Sequence, residues 1–376
     1  STMFENMFLA MDDEMFRLRA ADIADIRTGI LAELLGKEVV DLSVLPEDTI
    51  VVVHDLTPSM TATIDKPHVA GIVTETGGRT SHSAIIARAL EIPAVLSVAN
   101  SCSALRNGMR AIVDGTEGVV IADPEADVLE KYTKAAADFA AEKAALETAA
   151  KLGLDDTFVF ENPRRGWKIS KFVVNCKNLD AHNGEQLDQA MRMARKLHES
   201  NAKVERSFSF YDEGRNYERS LLARGPISVN DWQEMSDQAA KLNEYLVADG
   251  GEPVLCHNDF FGLNFLIDED GNTSLIDWEY AGMADRGCDI GTFIACSDYT
   301  TEEMLRALTS YFDRTPTDVE WRHNLGQVGM AGWCWYAWSL LKEREGDNVG
   351  EWAYIYYRHA KTYLKKALDL YEAAGK

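Results

Sequence analysis

One spacing constrains this chain more than any other feature. His257, Asp259 and Asn264 stand in the run HNDFFGLNFL, and Asp277 closes a short apolar run in LIDWEY. The first three reproduce the pattern H-x-D-x-x-x-x-N. Phosphoryl transfer explains why these residue types fall at these intervals. A carboxylate must orient the attacking hydroxyl and accept its proton, while an amide and a second carboxylate hold magnesium on the donor phosphates. Asp259 is therefore the candidate catalytic residue, and Asn264 and Asp277 are the candidate metal ligands. Any one of them alone would read as a turn residue in an acidic protein; the constellation points to a kinase-like site.

With 376 residues the chain exceeds one typical core, which predicts two or three domains. A formal charge of −23 excludes nucleic acid as a partner and disfavours anionic membranes. It is compatible with a cationic small substrate. The six cysteines (Cys102, Cys176, Cys256, Cys288, Cys296, Cys334) are scattered without a C-x-x-C pair. That fits reduced thiols in a cytoplasmic protein better than a disulfide framework or a zinc site. No signal peptide and no long apolar run stand in the sequence, so no membrane span is expected.

Periodicity then divides the chain. Phe16, Ala20, Ile23, Ile26, Ile30 and Leu34 form one stripe of a helix over 12–35, with Gly36 as its stop. Short β-type runs follow at 49–56, 68–75, 92–98, 109–115 and 118–122, with a helix from about Ser81 to Leu90 among them. That alternation is an α/β arrangement. Asp123-Pro124 reads as the cap and first-turn proline of a long Ala/Glu/Lys-rich helix reaching about Lys151, a connector ended by Gly153. Residues 157–174 read as a hairpin turning at Asn162-Pro163 and Gly166. Beyond about Glu185 the pattern is helical, except for strands around 253–280.

A second candidate site lies in TETGGRTSHSAIIARALEIPAV. Gly77-Gly78 permit close backbone approach, and Ser81 can cap a helix beginning at His82. An imidazole at a helix N-terminus can carry a phosphoryl group stabilised by backbone N–H donors. Arg79 and Thr80 add a charge and a hydroxyl to the same group. On composition alone, a capped helix with a surface histidine is the better account of this segment.

The wider sequence decides between them. GGRTSHSAIIARALEIPAV, with DLTPS at 55–59, AIVDGTEGVVI at 111–121 and RAADIADIRTGILAELLG upstream, resembles enzyme I of the bacterial phosphoenolpyruvate-dependent sugar phosphotransferase system. The resemblance runs over roughly residues 10–150. It implies that His82 is the phosphorylated histidine of a swivelling domain, supported by Thr80 and Arg79, with a phosphocarrier protein as a possible partner. It takes in neither most of the helical subdomain that docks the carrier nor the barrel that binds phosphoenolpyruvate. A lone His82 domain would then not phosphorylate itself by the family's route.

From about Thr157 onward the chain resembles bacterial choline kinases within the aminoglycoside-phosphotransferase-like group. LCHNDFFGLNFLID, SLIDWEYAGMADRGCDIG and GWCWYAWSLLKEREG carry the likeness. It implies Asp259 as base and Asn264 and Asp277 as Mg2+ ligands, with KISKFVV at 168–174 as the last small-lobe strand entering the hinge. Residue chemistry points to a cationic acceptor. A quaternary ammonium donates no hydrogen bonds, so aromatic faces and a carboxylate must recognise it. Glu279 and Tyr280 follow the metal ligand, and Trp335 and Trp338 share a helix face. Taken singly, each tryptophan is as well explained by the core. Choline or a related amino alcohol is the expected substrate.

The donor side departs from the family. No G-x-G-x-x-G and no V-A-I-K-like strand precedes the hinge, so ATP is possible but its small-lobe site is expected to be missing. The expected fold is multidomain, α/β plus α+β: a helix at 1–36, a phosphohistidine swivel domain at 37–122, a connector helix at 123–153 and a mainly helical kinase-like lobe at 154–376. Three functional readings remain open: an active phosphotransferase, a catalytically incomplete fusion, or a chain completed by partner subunits.

Overall fold

A computed structural model describes residues 7–8, 10, 27, 30–31, 34–35, 42–77, 92–162 and 167–375. Of the helix expected over 12–35, Arg27, Ile30, Leu31, Leu34 and Leu35 are described; the first four are helical and Leu35 is in a turn. The helix expected near Ser81, and with it His82, Arg79 and Thr80, lies outside the described residues. The chain divides into two compact units, Ser1–Ala136 with Asn162–Trp167, and Ala137–Glu161 with Lys168–Lys376. No helix among the described residues is long and apolar enough to cross a membrane.

In the first unit, β1 (Thr49–Val53), β2 (Val69–Thr74) and β3 (Ala94–Val95) form a parallel sheet in that order. A parallel strand is covered on both faces, which is why β2 reads as the near-continuous apolar run VAGIVT. Val69, Ile72 and Val73 are buried there, the first two in one cluster with Leu56 and Ile92. Helix α1 (Pro58–Thr63) follows β1, its cap the Thr57 hydroxyl, which accepts from the Met60 N–H at 3.3 Å. After α2 (Ser101–Ala104), β4 (Ala111–Asp114) and β5 (Val119–Ala122) pair antiparallel. The Asp114 carboxylate closes their turn by accepting from Thr116 and Glu117 at 3.0 Å each. Gly71 is needed where β2 meets β4, since a Cβ there would stand 3.0 Å from Val113 Cβ. The five expected strands are all present, each shorter than its apolar run.

Helix α3 (Ala126–Leu152) is the long helix read from the sequence, but it starts later than expected. Asp123 has φ 47°, outside the extended range of a capping residue, and Leu129 N–H bonds Glu125 O. Asp123-Pro124 therefore precedes the helix rather than capping it. Gly153, at φ 63°, does end it. Its buried residues, Ala141, Glu142, Ala145, Leu146 and Ala149, all lie in the part belonging to the second unit.

Next come β6 (Phe158–Asn162) and β7 (Trp167–Ser170), which form a two-stranded sheet and lie in the second unit except for Asn162 and Trp167, and then β8 (Lys177–Asn178). Helices α4 (Gly184–His198), α5 (Phe210–Ala223) and α6 (Trp232–Asp249) follow. Then come β9 (Val254–Cys256), β10 (Phe265–Ile267), β11 (Thr273–Leu275) and β12 (Gly282–Ala284). Helices α7 (Gly287–Cys296), α8 (Thr301–Phe312), α9 (Asp318–Glu345) and α10 (Gly350–Ala373) complete it. α8 and α9 each open on a capping box, Thr300 with Glu303 and Thr317 with Glu320. α9 is buried nearly all round over Arg322–Ala337, as a helix in the middle of a bundle must be. It packs on α10, α7 and α5.

Candidate active site

Two short strand pairs carry the loop. β9 pairs with β12 and runs out into His257, Asn258 and Asp259, while β10 pairs with β11 and delivers Asp277 two residues past Leu275. Backbone N–H groups must be satisfied at this depth. The N–H groups of His257 and Asn258 donate to the fully buried Asp289 carboxylate of α7, at 3.0 and 2.6 Å. His198 Nε2 donates to the same carboxylate at 2.9 Å, and Tyr311 supplies a hydroxyl to the other ring nitrogen at 2.7 Å. His257 is itself a structural member of the loop. Its Nε2 donates to Ile276 O at 2.9 Å, tying the Asp259 segment to the Asp277 segment, and burial lowers its pKa.

Asn264 closes the turn. Its side-chain amide donates to the carbonyl of Asp259 at 2.8 Å and to Asp259 Oδ2 at 2.9 Å. Burial pushes the Asp259 carboxyl up to about 7; the Asn264 hydrogen bond opposes this, and the charges of Asp277 and Glu279 add to it. Asn258 and Asp277 both adopt positive φ, 67° and 66°, at the two bends that turn these side chains out of the strands. Asp277 remains half-exposed, with Lys168 Nζ 3.9 Å from its Oδ1.

The sequence candidates for the acceptor meet here. Asp259, Glu279, Tyr280, Trp335 and Trp338 line one cavity of about 420 Å³. Tyr280 and Trp335 stand edge to face at 5.3 Å between ring centroids, and Trp335 and Trp338 do the same at 6.3 Å. Tyr217 reaches the Tyr280 hydroxyl at 3.2 Å. Partial desolvation and then the Asp277 charge raise the Glu279 pKa. Trp352 and Tyr356, one turn apart on α10, complete the aromatic wall with Phe261. These three went unread in the sequence, although the i, i+4 spacing of Trp352 and Tyr356 was a visible signal.

Another pair was missed on the opposite side. Lys168 of β7 bonds Glu142 of α3 at 2.9 Å. One turn earlier on the same helix, Asp138 meets Arg206 at 3.3 Å, and Arg206 donates to Glu279 O.

Comparison with known proteins finds two families in this chain, with matches that overlap over residues 84–118. The family described as PEP-utilising enzyme, mobile domain, matches residues 45–118, and the phosphotransferase enzyme family matches residues 84–322. The phosphoenolpyruvate-protein phosphotransferase of Priestia megaterium is 46% identical over 144 residues, 38% of this chain and 25% of that protein. That of Bacillus subtilis (strain 168) is 45% identical over 144 residues, with the same shares of each. The chain thus spans about a quarter of the length of these curated relatives. Among solved structures, choline kinase LicA from Streptococcus pneumoniae superposes with a TM-score of 0.54 at 24% identity, covering 61% of this chain and 80% of that one. LicA in complex with AMP gives 0.55 at 21% identity, over 71% and 96%. At that identity the likeness is one of fold.

Proposed function

Because the chain belongs to the phosphotransferase enzyme family, we propose that its second unit transfers a phosphoryl group to the hydroxyl of a small amino alcohol, choline or ethanolamine. The observation that carries this reading is the shared cavity, in which the Asp259 carboxylate and an aromatic cage face the same 420 Å³. An ammonium held over the indoles of Trp335 and Trp338 and near Glu279 leaves a two-carbon hydroxyl arm to reach Asp259. Asp259 takes the hydroxyl proton as the oxygen–phosphorus bond forms and the bond from phosphorus to the donor breaks. A carboxyl at about 7 is matched to that task near neutrality.

Asn264 and Asp277 fit Mg2+ by donor chemistry, an amide and a carboxylate oxygen for a hard cation, with the Asp277 carboxylate half-exposed. When bound, the metal would neutralise charge on the donor phosphates. Asn264 has a second task in this scheme: its amide holds the Asp259 carboxylate in one orientation.

The donor admits two readings. Nucleoside triphosphate is the family's donor. The mobile-domain match over 45–118 favours a second, in which phospho-His82 gives up its phosphoryl group and is recharged through a phosphocarrier protein. We expect phosphocholine from Mg·ATP, from His82-phosphorylated protein, or from both, with turnover abolished in Asp259→Ala. Choline binding without product from either donor would instead identify a catalytically incomplete fusion and overturn the proposal.

A further inference from the structure

We propose that Lys168, held in place by Glu142, is the cation that grips the donor's phosphates, a role the sequence order conceals. The inference rests on the nucleotide-donor reading above and adds the residue that reading lacks. Carboxylates dominate this site. Asp259, Asp277 and Glu279 lie on the acceptor side, and Glu142 and Glu161 lie behind Lys168, close enough that both raise its pKa. A polyphosphate approaching Asp277 is repelled by these carboxylates, so a side-chain cation beside the proposed Mg2+ would favour its binding. Among the described residues, Lys168 is the one Lys or Arg within 4 Å of the Asp277 carboxylate.

Its position is enforced from behind. The Glu142 side chain is 11% exposed, while the Lys168 and Asp277 side chains are 38% and 49% exposed. The ammonium therefore bridges from an internal carboxylate to an open one, and it faces the space in front of Asp277. A lysine paired to a buried glutamate adds little stability against the same volume of apolar side chain. What the pair provides is placement. Asp138 and Glu142 lie four residues apart, on one face of α3, and each holds a cation, Arg206 and Lys168. Arg206 in turn bonds the carbonyl of Glu279. One helix face is thus latched to the acceptor loop at one point and presents Lys168 at the next.

Kinases place this lysine on a strand that precedes the helix bearing its glutamate. Here the order is reversed: Glu142 on α3 comes first and Lys168 on β7 second. A motif search ahead of the helix finds no such lysine, because the charge enters from the strand after it.

The test uses the full chain. Mg·ATP binding and steady-state kinetics with choline are measured for the parent, Lys168→Met, Lys168→Arg and Glu142→Gln, with choline affinity followed by tryptophan fluorescence. We expect Lys168→Met to raise the KM for Mg·ATP and lower kcat, each by about tenfold or more, with the choline Kd within about twofold. Glu142→Gln should shift the Mg·ATP KM in the same direction by less, and Lys168→Arg should recover part of the loss. Retained choline affinity certifies that the variants are folded. If the parent turns over Mg·ATP and Lys168→Met matches it, this assignment alone falls. If the parent neither binds nor uses Mg·ATP, the nucleotide-donor reading falls and takes the assignment with it.

Discussion

The side-chain amide of Asn264 donates to Asp259 Oδ2 at 2.9 Å, so the residue five positions on fixes the carboxylate proposed to accept the substrate proton. This contact also sets when that carboxylate is charged. Burial raises its pKa to about 7, and the Asn264 hydrogen bond pulls it down. The base must be ionised to act, so kcat/KM for the amino alcohol should climb as pH rises through about 7 and level above it. Asp259→Asn should lower kcat by about a hundredfold to ten-thousandfold, the usual worth of a positioned base, while leaving substrate binding in place. A pH–rate profile and a binding titration check both; a rate independent of pH across that range would count against Asp259 as the base.

Trp338 is the cage member most safely removed, being partly exposed where Trp335 is 5% exposed and packed against Phe210 and Tyr280. An indole face is worth about 0.5–2 kcal/mol to a cation, depending on desolvation. Trp338→Ala should accordingly raise the choline Kd by about two- to thirtyfold, with little change in Tm. Trp338→Phe should recover part of the affinity. A neutral isostere of choline, with carbon in place of nitrogen, should lose most of the difference between parent and variant. Equal losses for both ligands would mean that Trp338 acts by shape and not by charge.

That these candidate residues come together was legible because they sit close to one another in sequence. Asp259, Asn264 and Asp277 are local to two strand pairs, and Trp335 and Trp338 are local to one helix, so spacing alone groups them. The rest depends on distant segments. Nothing around Glu142 announces that a helix read as a connector buries that carboxylate against Lys168. Nor does Asp289 declare, from its surroundings, that it accepts the N–H groups of His257 and Asn258 in the turn before Asp259. Asp123-Pro124 misled for a local reason: the dipeptide has the chemistry of a helix start, but the backbone bends at φ 47° before the helix begins. Such pairings follow from tertiary contact and leave no periodic trace.

The seam between α9 and α10 tests how closely the aromatic wall is set. A Cβ on Gly332 would lie 2.7 Å from Ala360 N and 3.0 Å from Tyr356 O, both backbone atoms that cannot swing aside. Tyr356 also lines the cavity that contains Asp259. Gly332→Ala should therefore destabilise the protein by about 1–3 kcal/mol, the usual cost of overpacking, and weaken amino-alcohol binding as α10 is pushed outward. Thermal unfolding and a choline titration on the same sample would show both. Unchanged Tm would indicate that the two helices do not approach this closely.

Glu161 of β6 offers a pH test of the charge cluster around Glu142 and Lys168 that does not depend on turnover. The residue is 2% exposed, Oε2 has no hydrogen-bond partner among the described residues, and burial with the Glu142 charge raises its pKa from 4.5 to about 7. A carboxyl whose folded pKa is raised favours the fold fully below its ordinary value. That contribution is lost as pH rises through about 7, when the buried group must ionise. Glu161→Gln carries no charge at any pH. The variant and parent should melt alike near pH 5, and the variant should gain in Tm progressively to about pH 8. Paired melting curves across that range measure the difference. A constant offset would mean that Glu161 is already ionised in the folded protein at the acid end, with the Lys168 ammonium strong enough to hold the charge there.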